Sequence, residues 1–209
     1  MNQVLIKKPL QRMVINDAIH STVNMYMFDG NVLGDGTILN PDRKRNNYHL
    51  FTFYNKHKSY LEWLSTRLIL LKERPIWNKS YLDYRTNKWY SCYWMRSLSS
   101  PFLSAQYQRW YPNGVKLIPD DINVNSDFLL HFFLDDGSRA SNGAYYLALD
   151  AQPIERVELL QAKIEAFTGF STSIHRNGKG YRLYIPRRFD FLGLIGDCPV
   201  KEYEYKWIQ

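Results

Sequence analysis

Read from residue 20 onward, the apolar and polar positions of the chain trace one order of elements twice. Residues 20–35 carry Val23, Met27 and Val32 and close on Asp35-Gly36, while the more apolar residues 128–136 close on Asp136-Gly137. Each predicts a buried helix ending at a glycine. After Gly36, a strand, a charged turn over residues 40–47 with Arg43, Lys44 and Arg45, and an aromatic strand over residues 48–54 predict a hairpin. After Gly137, a polar turn over residues 138–142 and a Tyr- and Leu-bearing strand over residues 144–149 occupy the same places.

The correspondence continues downstream. Leu61, Leu64, Leu68 and Leu71 recur at spacings of three, four and three ahead of Pro75, and Val157, Leu160, Ile164 and Phe167 repeat that stripe between Pro153 and Gly169. Both predict helices with one apolar face, the second with Pro in its first turn and Gly at its C-cap. β-rich residues 76–84 and 89–95 flank a polar turn at 85–88, and residues 170–175 and 181–185 flank one at 177–180, which predicts two further hairpins. A last helix follows in each half, near residues 101–110 and 188–195, and each half closes on a lone lysine, Lys116 and Lys206. The predicted order is α, β, β, α, β, β, α in both halves, an α+β architecture. Period-two alternation makes each sheet amphipathic, with helices over one face and a polar, basic, aromatic-bearing face left open.

Composition supports folding and narrows the partner. Of 209 residues 45% are hydrophobic and 22% charged, too apolar a balance for a disordered chain. Lys and Arg number 27 against 20 Asp and Glu, a net charge of +7 that favours a polyanion such as nucleic acid. The 16% aromatic share reads first as core packing and second as base or groove contact. Two cysteines, Cys92 and Cys198, without CxxC spacing indicate neither a disulfide framework nor a zinc ribbon. Residues 128–134, the most apolar short stretch, fall far below the ~20 residues of a membrane span. The first 20 residues lack the apolar core of a secretory signal and include an acid, which argues against a transit peptide.

Candidate chemistry centres on Asp35 and Asp136. At the C-terminal end of a helix a carboxylate meets the negative end of the macrodipole and is disfavoured by about 0.3–1 kcal/mol. Asp-Gly is also a common turn pair, but two instances at matching points of a repeat call for more than turn chemistry. Were the halves related by a twofold axis along the helix seam, the two acids would approach each other and need a cation between them. Magnesium, with its preference for hard oxygen, suits that place. Metal-held carboxylates of this kind serve phosphodiester hydrolysis.

Residues 28–36 (FDGNVLGDG) and 129–137 (LLHFFLDDG) resemble two diverged copies of the LAGLIDADG motif, within a matching αββαββα pattern across nearly the whole chain. The chain thus resembles the monomeric two-motif LAGLIDADG homing endonucleases. The resemblance implies two pseudo-twofold-related αββαββα repeats, residues 1–120 and 121–209, packed through the motif helices and forming a saddle of two antiparallel sheets. It implies that Asp35 and Asp136 bind the catalytic metal, with the backbone carbonyls of Gly34 and Asp135 assisting and Lys116 and Lys206 as electrostatic or water-orienting groups. It further implies two or more Mg2+ ions, with Mn2+ as a substitute and Ca2+ non-productive. A staggered cut, a role in mobilising an intron or intein, and a mitochondrial or chloroplast setting belong to the same expectation. One departure is His131, bulky where the first copy has Gly30; it reads as a satisfied buried histidine and not as a ligand. Residues 191–197 (FLGLIGD) imitate the motif but lead into Cys198-Pro199, and read as a final core helix.

Hairpins in a major groove reach base edges with alternate side chains while nearby cations meet phosphates. The expected DNA contacts are Arg43, Lys44, Arg45, Arg85, Lys88, Arg139, Arg176, Lys179 and Arg182, all on or beside hairpins. Because the halves differ in sequence, a long asymmetric double-stranded DNA target is expected, bound by a monomer with no membrane partner. Two other readings stay open: an RNA maturase that binds intron RNA on the same fold, and a DNA-binding regulator without catalysis. Retention of both aspartates weighs against each of them.

Overall fold

The computed structural model describes residues 23–42 and 48–208. Arg43, Lys44 and Arg45, and the start of the first motif segment, lie outside the described residues. The first half runs α1 (Met25–Leu33), β1 (Thr37–Leu39), β2 (Leu50–Asn55), α2 (Lys58–Arg67), β3 (Trp77–Asp83), β4 (Lys88–Arg96) and α3 (Pro101–Trp110). The second runs α4 (Ser126–Asp136), β5 (Gly137–Arg139), β6 (Tyr145–Ala148), α5 (Ile154–Thr168), β7 (Ser173–Asn177), β8 (Gly180–Ile185) and α6 (Phe191–Ile195), with a 3₁₀ segment Lys201–Lys206 after it. This is the α+β order that the hydrophobic pattern predicts, α, β, β, α, β, β, α in each half. No helix among the described residues is long and apolar enough to cross a membrane.

The described chain forms two compact units, residues 37–109 and residues 25–36 with 110–209, so the first motif helix α1 belongs with the second half. In the first unit the sheet order is β1-β2-β4-β3, all antiparallel. Alternation decides its faces. Ile38, Phe51, Phe53 and Met95 are buried on one side, where Phe53 meets Tyr60 of α2 at 5.6 Å between ring centroids. Leu61 and Leu64 complete that core from α2.

The leucine stripe of this unit departs from one continuous helix. α2 ends at Arg67, Leu68 is extended (φ −105°, ψ 105°), and Ile69–Leu71 is a separate 3₁₀ turn. Ser65 and Thr66 turn their hydroxyls back onto the carbonyls of Glu62 and Trp63, a bond that competes with the helical ladder at its last turn. Leu68 and Leu71 are still buried, because the turn swings them onto the same core.

In the second unit the sheet order is β5-β6-β8-β7, and Leu147, Leu183 and Ile185 face the buried side under α5. Pro153 precedes the first residue of α5 and Gly169 closes it in the left-handed region, φ +71°. α6 is capped by Asp190, whose carboxylate accepts from Gly193 N at 2.9 Å; of the motif-like residues 191–197 only Phe191–Ile195 are helical, a short turn that buries Phe191, against Phe133, and Ile195.

α1 and α4 pack directly on each other, and glycine sets how closely. A Cβ at Gly30 would stand 2.6 Å from the Phe128 carbonyl oxygen, and one at Gly34 would stand 2.4 Å from Asp135 Oδ2. The four-residue spacing puts both glycines on one helix face, Gly30 against the backbone of α4 and Gly34 against the Asp135 side chain. Between them, Asn31 donates to the Met27 carbonyl at 2.7 Å and to His131 Nδ1 at 3.0 Å. His131 is fully buried in this seam, away from the acids at its end.

Candidate active site

Each motif helix leads into an acid: Asp136 is the last residue of α4, and Asp35 stands in the turn two residues beyond the end of α1. In α1 the ladder closes with Gly34 N donating to Gly30 O at 3.1 Å and Gly36 N to Asn31 O at 2.8 Å, which leaves Asp35 on the final turn. α4 starts at Asn125, whose side chain accepts from Phe128 N at 2.9 Å, and its last residue is Asp136. Each carboxylate therefore sits at the negative end of a helix dipole, which must be offset.

Two lysines supply the offset. Lys116 Nζ donates to the carbonyls of Gly34 at 2.9 Å and Gly36 at 3.2 Å, straddling Asp35. Lys206 Nζ donates to the carbonyls of Phe133 at 3.0 Å and Leu134 at 2.6 Å, under Asp136. Each half thus pairs one terminal acid with one lysine bound to the same helix end. The lysines are not equivalent. Lys116 is half-buried, whereas Lys206 is 4% exposed and lies 5.2 Å from the Tyr203 ring and 5.6 Å from the Phe133 ring.

Electrostatics set these groups apart from the rest of the surface. Burial pushes the Asp136 carboxyl up to about 6, Asp35 adds to the rise, and Lys116 and Lys206 hold it back. Asp35 is exposed by area, yet surrounding protein displaces enough water to raise its carboxyl above the ordinary range against the pull of both lysines. Burial lowers Lys116, and Asp136, Asp135 and Asp35 oppose that shift.

A stability prediction follows from Asp136. Its native carboxyl, at about 6, holds its proton more tightly than the unfolded chain does at 3.8. The resulting stabilisation is full below about pH 4 and is lost as pH rises through 6. A rise of this size corresponds to ~3 kcal/mol before screening, and about 1–2 kcal/mol for a half-buried group. In chelator, thermal unfolding between pH 4 and 7 should show this loss, and Asp136→Asn should flatten it; an unchanged slope would contradict the assigned environment.

The donor set fits a divalent ion. Asp35 and Asp136 offer hard carboxylate oxygens that repel one another, and a bound cation would relieve that repulsion. Among the described residues no group of three or more His, Cys, Asp and Glu is gathered to hold an ion alone. Such an ion would keep waters or phosphate oxygens, as magnesium commonly does beside one or two carboxylates. Of the two assisting carbonyls expected from sequence, that of Gly34 accepts from Lys116. Asp135 packs its carboxylate on Gly34, and Oδ2 accepts from the Asp35 backbone N at 3.2 Å. The side chain of Asp135 thereby holds the end of α1.

Sequence reasoning passed over Gln152. Buried at 7% exposure, it accepts from Ile118 N at 3.0 Å and donates to the Lys116 carbonyl at 3.2 Å, pinning the segment that carries Lys116. It also borders, with Leu33, Asp136 and Asp150, a cleft of about 180 Å³ beside Asp136. A lone glutamine before a helix carries no motif signal, since only the fold brings residues 116–118 to it. Gln152→Leu removes the partner of the buried Ile118 N–H and of the part-buried Lys116 carbonyl and should cost about 1–3 kcal/mol, read as a lower urea midpoint; an unchanged midpoint would show the bonds to be dispensable.

The structure gathers Gly34, Asp35, Asp135, Asp136, Lys116 and Lys206 around the two helix ends. The basic hairpin residues are spread more widely. Arg85 pairs with Asp83 at 3.1 Å on the exposed β3–β4 turn, and Lys88 starts β4 opposite Asp83. Arg182 stands on the open side of its sheet, opposite Ala148 and His175, 3.8 Å from Asp150. Lys179 occupies the β7–β8 turn, and Arg176 lies opposite Tyr181. Arg139 shares the side of Tyr145, with its guanidinium over that ring and donating to Trp207 O at 2.7 Å.

Comparison with known proteins decides the family. A model described as the LAGLIDADG DNA endonuclease family matches residues 25–189, from the first motif helix to beyond β8. The chain belongs to this family. Among solved structures, the LAGLIDADG chain is similar to the homing endonuclease I-WcaI bound to its DNA recognition sequence, with TM-score 0.77 at 19% identity, covering 100% of this chain and 96% of that one. It is also similar to the N-terminal LAGLIDADG domain of DUF199/WhiA, with TM-score 0.50 at 14% identity, covering 95% and 98%. At such identities these likenesses show the fold. A curated relative, an uncharacterised protein of Methanocaldococcus jannaschii, is 26% identical over 166 residues, which cover 71% of this LAGLIDADG chain and only 58% of the relative's length.

Proposed function

We propose that this chain is a site-specific homing endonuclease that hydrolyses both strands of a long, asymmetric double-stranded DNA target with a divalent metal, in association with an intron or intein. The observation that carries the reading is the paired arrangement of Asp35 with Lys116 and Asp136 with Lys206 at the ends of two packed motif helices. The DNA recognition sequence bound to I-WcaI supports a duplex partner. The intron association is part of this proposal, as is a likeness of the motifs at residues 28–36 and 129–137 to those of the yeast mitochondrial omega-intron endonuclease.

Magnesium bound by the Asp35 and Asp136 carboxylates would supply the positive charge that lowers the pKa of water and steadies the leaving oxygen. The chain's own residues set the stage for that chemistry. The Asp35 and Asp136 carboxylates must be ionised to hold the ion, so protonation of metal-free Asp136 near 6 competes with metal binding below that pH. Lys116, half-buried and lowered by desolvation, places its ammonium next to Asp35, where it can stabilise charge on a phosphoryl oxygen. Lys206 is enclosed and acts through the carbonyls at the end of α4, holding Asp136 in place.

The experiment is a selection from a random duplex library in Ca2+, followed by incubation of the recovered site with Mg2+ or with chelator. Cleavage of both strands in Mg2+ alone, within a long non-palindromic site, is expected. Recovery of a short or palindromic motif, or equal cleavage in chelator, would sink the reading. Preferential binding of structured RNA over every duplex would favour a maturase instead.

A further inference from the structure

In the first unit, the sheet side opposite Phe53 and Met95 carries indole and phenol rings. The register sets Tyr54 opposite Trp94 and Trp94 opposite Trp77. Trp77 and Trp94 stack at 4.4 Å and 25°, Tyr54 and Trp94 at 6.0 Å and 19°, and the Arg96 guanidinium lies 5.5 Å and 5.7 Å from the two indoles. This side is not the one that α2 covers through Tyr60 and Phe53. Tyr54 is 47% exposed and Arg96 is exposed.

The stacking itself limits what the cluster can bind. Side chains on a sheet stand roughly perpendicular to it, so neighbours that stack spend their ring faces on one another and turn their C–H edges outward. A base cannot lie flat on edges, so the cluster is poorly suited to unstacked nucleobases, which bind on open ring faces. Ring edges do suit small apolar groups. In the major groove of duplex DNA that group is the thymine C5-methyl, which alone distinguishes thymine from uracil there. The open side of the other sheet offers different chemistry: Tyr146, Tyr184, His175 and Arg182, side chains with hydrogen-bonding tips.

We infer that Tyr54, Trp77 and Trp94 form an apolar reader of thymine methyl groups, so that the half-site covered by the first unit is recognised by methyl contact, with Arg96 and Lys79 as flanking cations. Lys79 lies on the same side as Trp77, two residues along β3, and is exposed. This inference rests on the double-stranded DNA partner proposed above. It adds a chemical basis for target asymmetry, because the paired indoles Trp77 and Trp94 have no counterpart among Tyr146, Tyr184, His175 and Arg182 on the open side of the other sheet.

The test uses the duplex site recovered by selection, remade with deoxyuridine for thymidine in one half at a time and measured by gel shift in Ca2+. Loss of a buried methyl weakens binding by roughly fourfold, so two or more should give about tenfold or greater loss in one half only. Trp77→Gln should bind the thymine and uracil versions equally, and Tyr54→Ser, at the exposed end of the stack, should narrow the difference if the tryptophan variant does not fold. 5-Iododeoxyuridine in the sensitive half, with iodine in place of the methyl, should photo-crosslink to the peptide carrying Trp94 or Trp77. Tight binding of the natural site with less than twofold change for uracil in either half would overturn the methyl reader and leave the endonuclease standing. Failure to recover any bound duplex would remove both.

Discussion

Asp136→Asn should reduce DNA cleavage by on the order of 10²–10³-fold or more while leaving DNA binding intact. The substitution keeps the size of the side chain and removes one of two carboxylates that could hold a divalent ion, at the point where each motif helix ends. Asp35→Asn should act alike, because Asp35 stands in the turn that closes α1 and is held between the two carbonyls that Lys116 binds. Binding should not weaken, since each change removes a negative charge from a surface that meets phosphate. The informative comparison is Asp135→Asn. The Asp135 carboxylate is spent on the Asp35 backbone N at 3.2 Å, so its amide should retain most cleavage. Plasmid cleavage in Mg2+ and gel shift in Ca2+ separate the outcomes. Loss of cleavage with Asp135→Asn alone, and not with Asp136→Asn, would overturn the assignment.

Substitution at the helix seam should lower the stability of the folded protein measurably. A Cβ at Gly34 would lie 2.5 Å from Asp135 Cβ as well as 2.4 Å from Oδ2, and one at Gly30 would lie 2.6 Å from the Phe128 carbonyl oxygen. Neither obstacle is the loose end of a long side chain, so the helices must separate. Overpacking of this kind costs about 1–3 kcal/mol, occasionally more, for each of Gly30→Ala and Gly34→Ala. In a chain of this size that is roughly 3–10 °C in Tm, measurable by calorimetry. Gly34→Ala should also depress cleavage at temperatures where the protein is still folded, because the displaced residue precedes Asp35. Unchanged Tm for both variants would mean that the helices are not held at backbone contact.

Much of the fold is legible in the chain because period and punctuation are local. Pro153 and Gly169 mark the ends of α5, the alternation of residues 181–185 marks β8, and both motif helices end on Asp-Gly where the pattern says they should. The leucine stripe misled in one place: spacing alone does not register that Ser65 and Thr66 turn their hydroxyls back on the helix and help end it at Arg67. The terminal acids and their lysines were visible as a repeated pair, since a duplicated pattern carries information that a single Asp-Gly does not.

By itself, the sequence determined the order of elements and their amphipathic faces and marked Asp35, Asp136, Lys116 and Lys206 as positions repeated in both halves, because these follow from spacing along one dimension. Only the tertiary structure decided what distance in sequence hides. It gave Asp135 its bond to Asp35, a hundred residues away, made Gln152 the clamp on the Lys116 segment, and enclosed Lys206 while leaving Lys116 half-buried. Asp35 and Asp136 thus stand at two inequivalent ends. Burial and neighbouring charge differ around each, and those are sums over residues that meet only when the chain has folded.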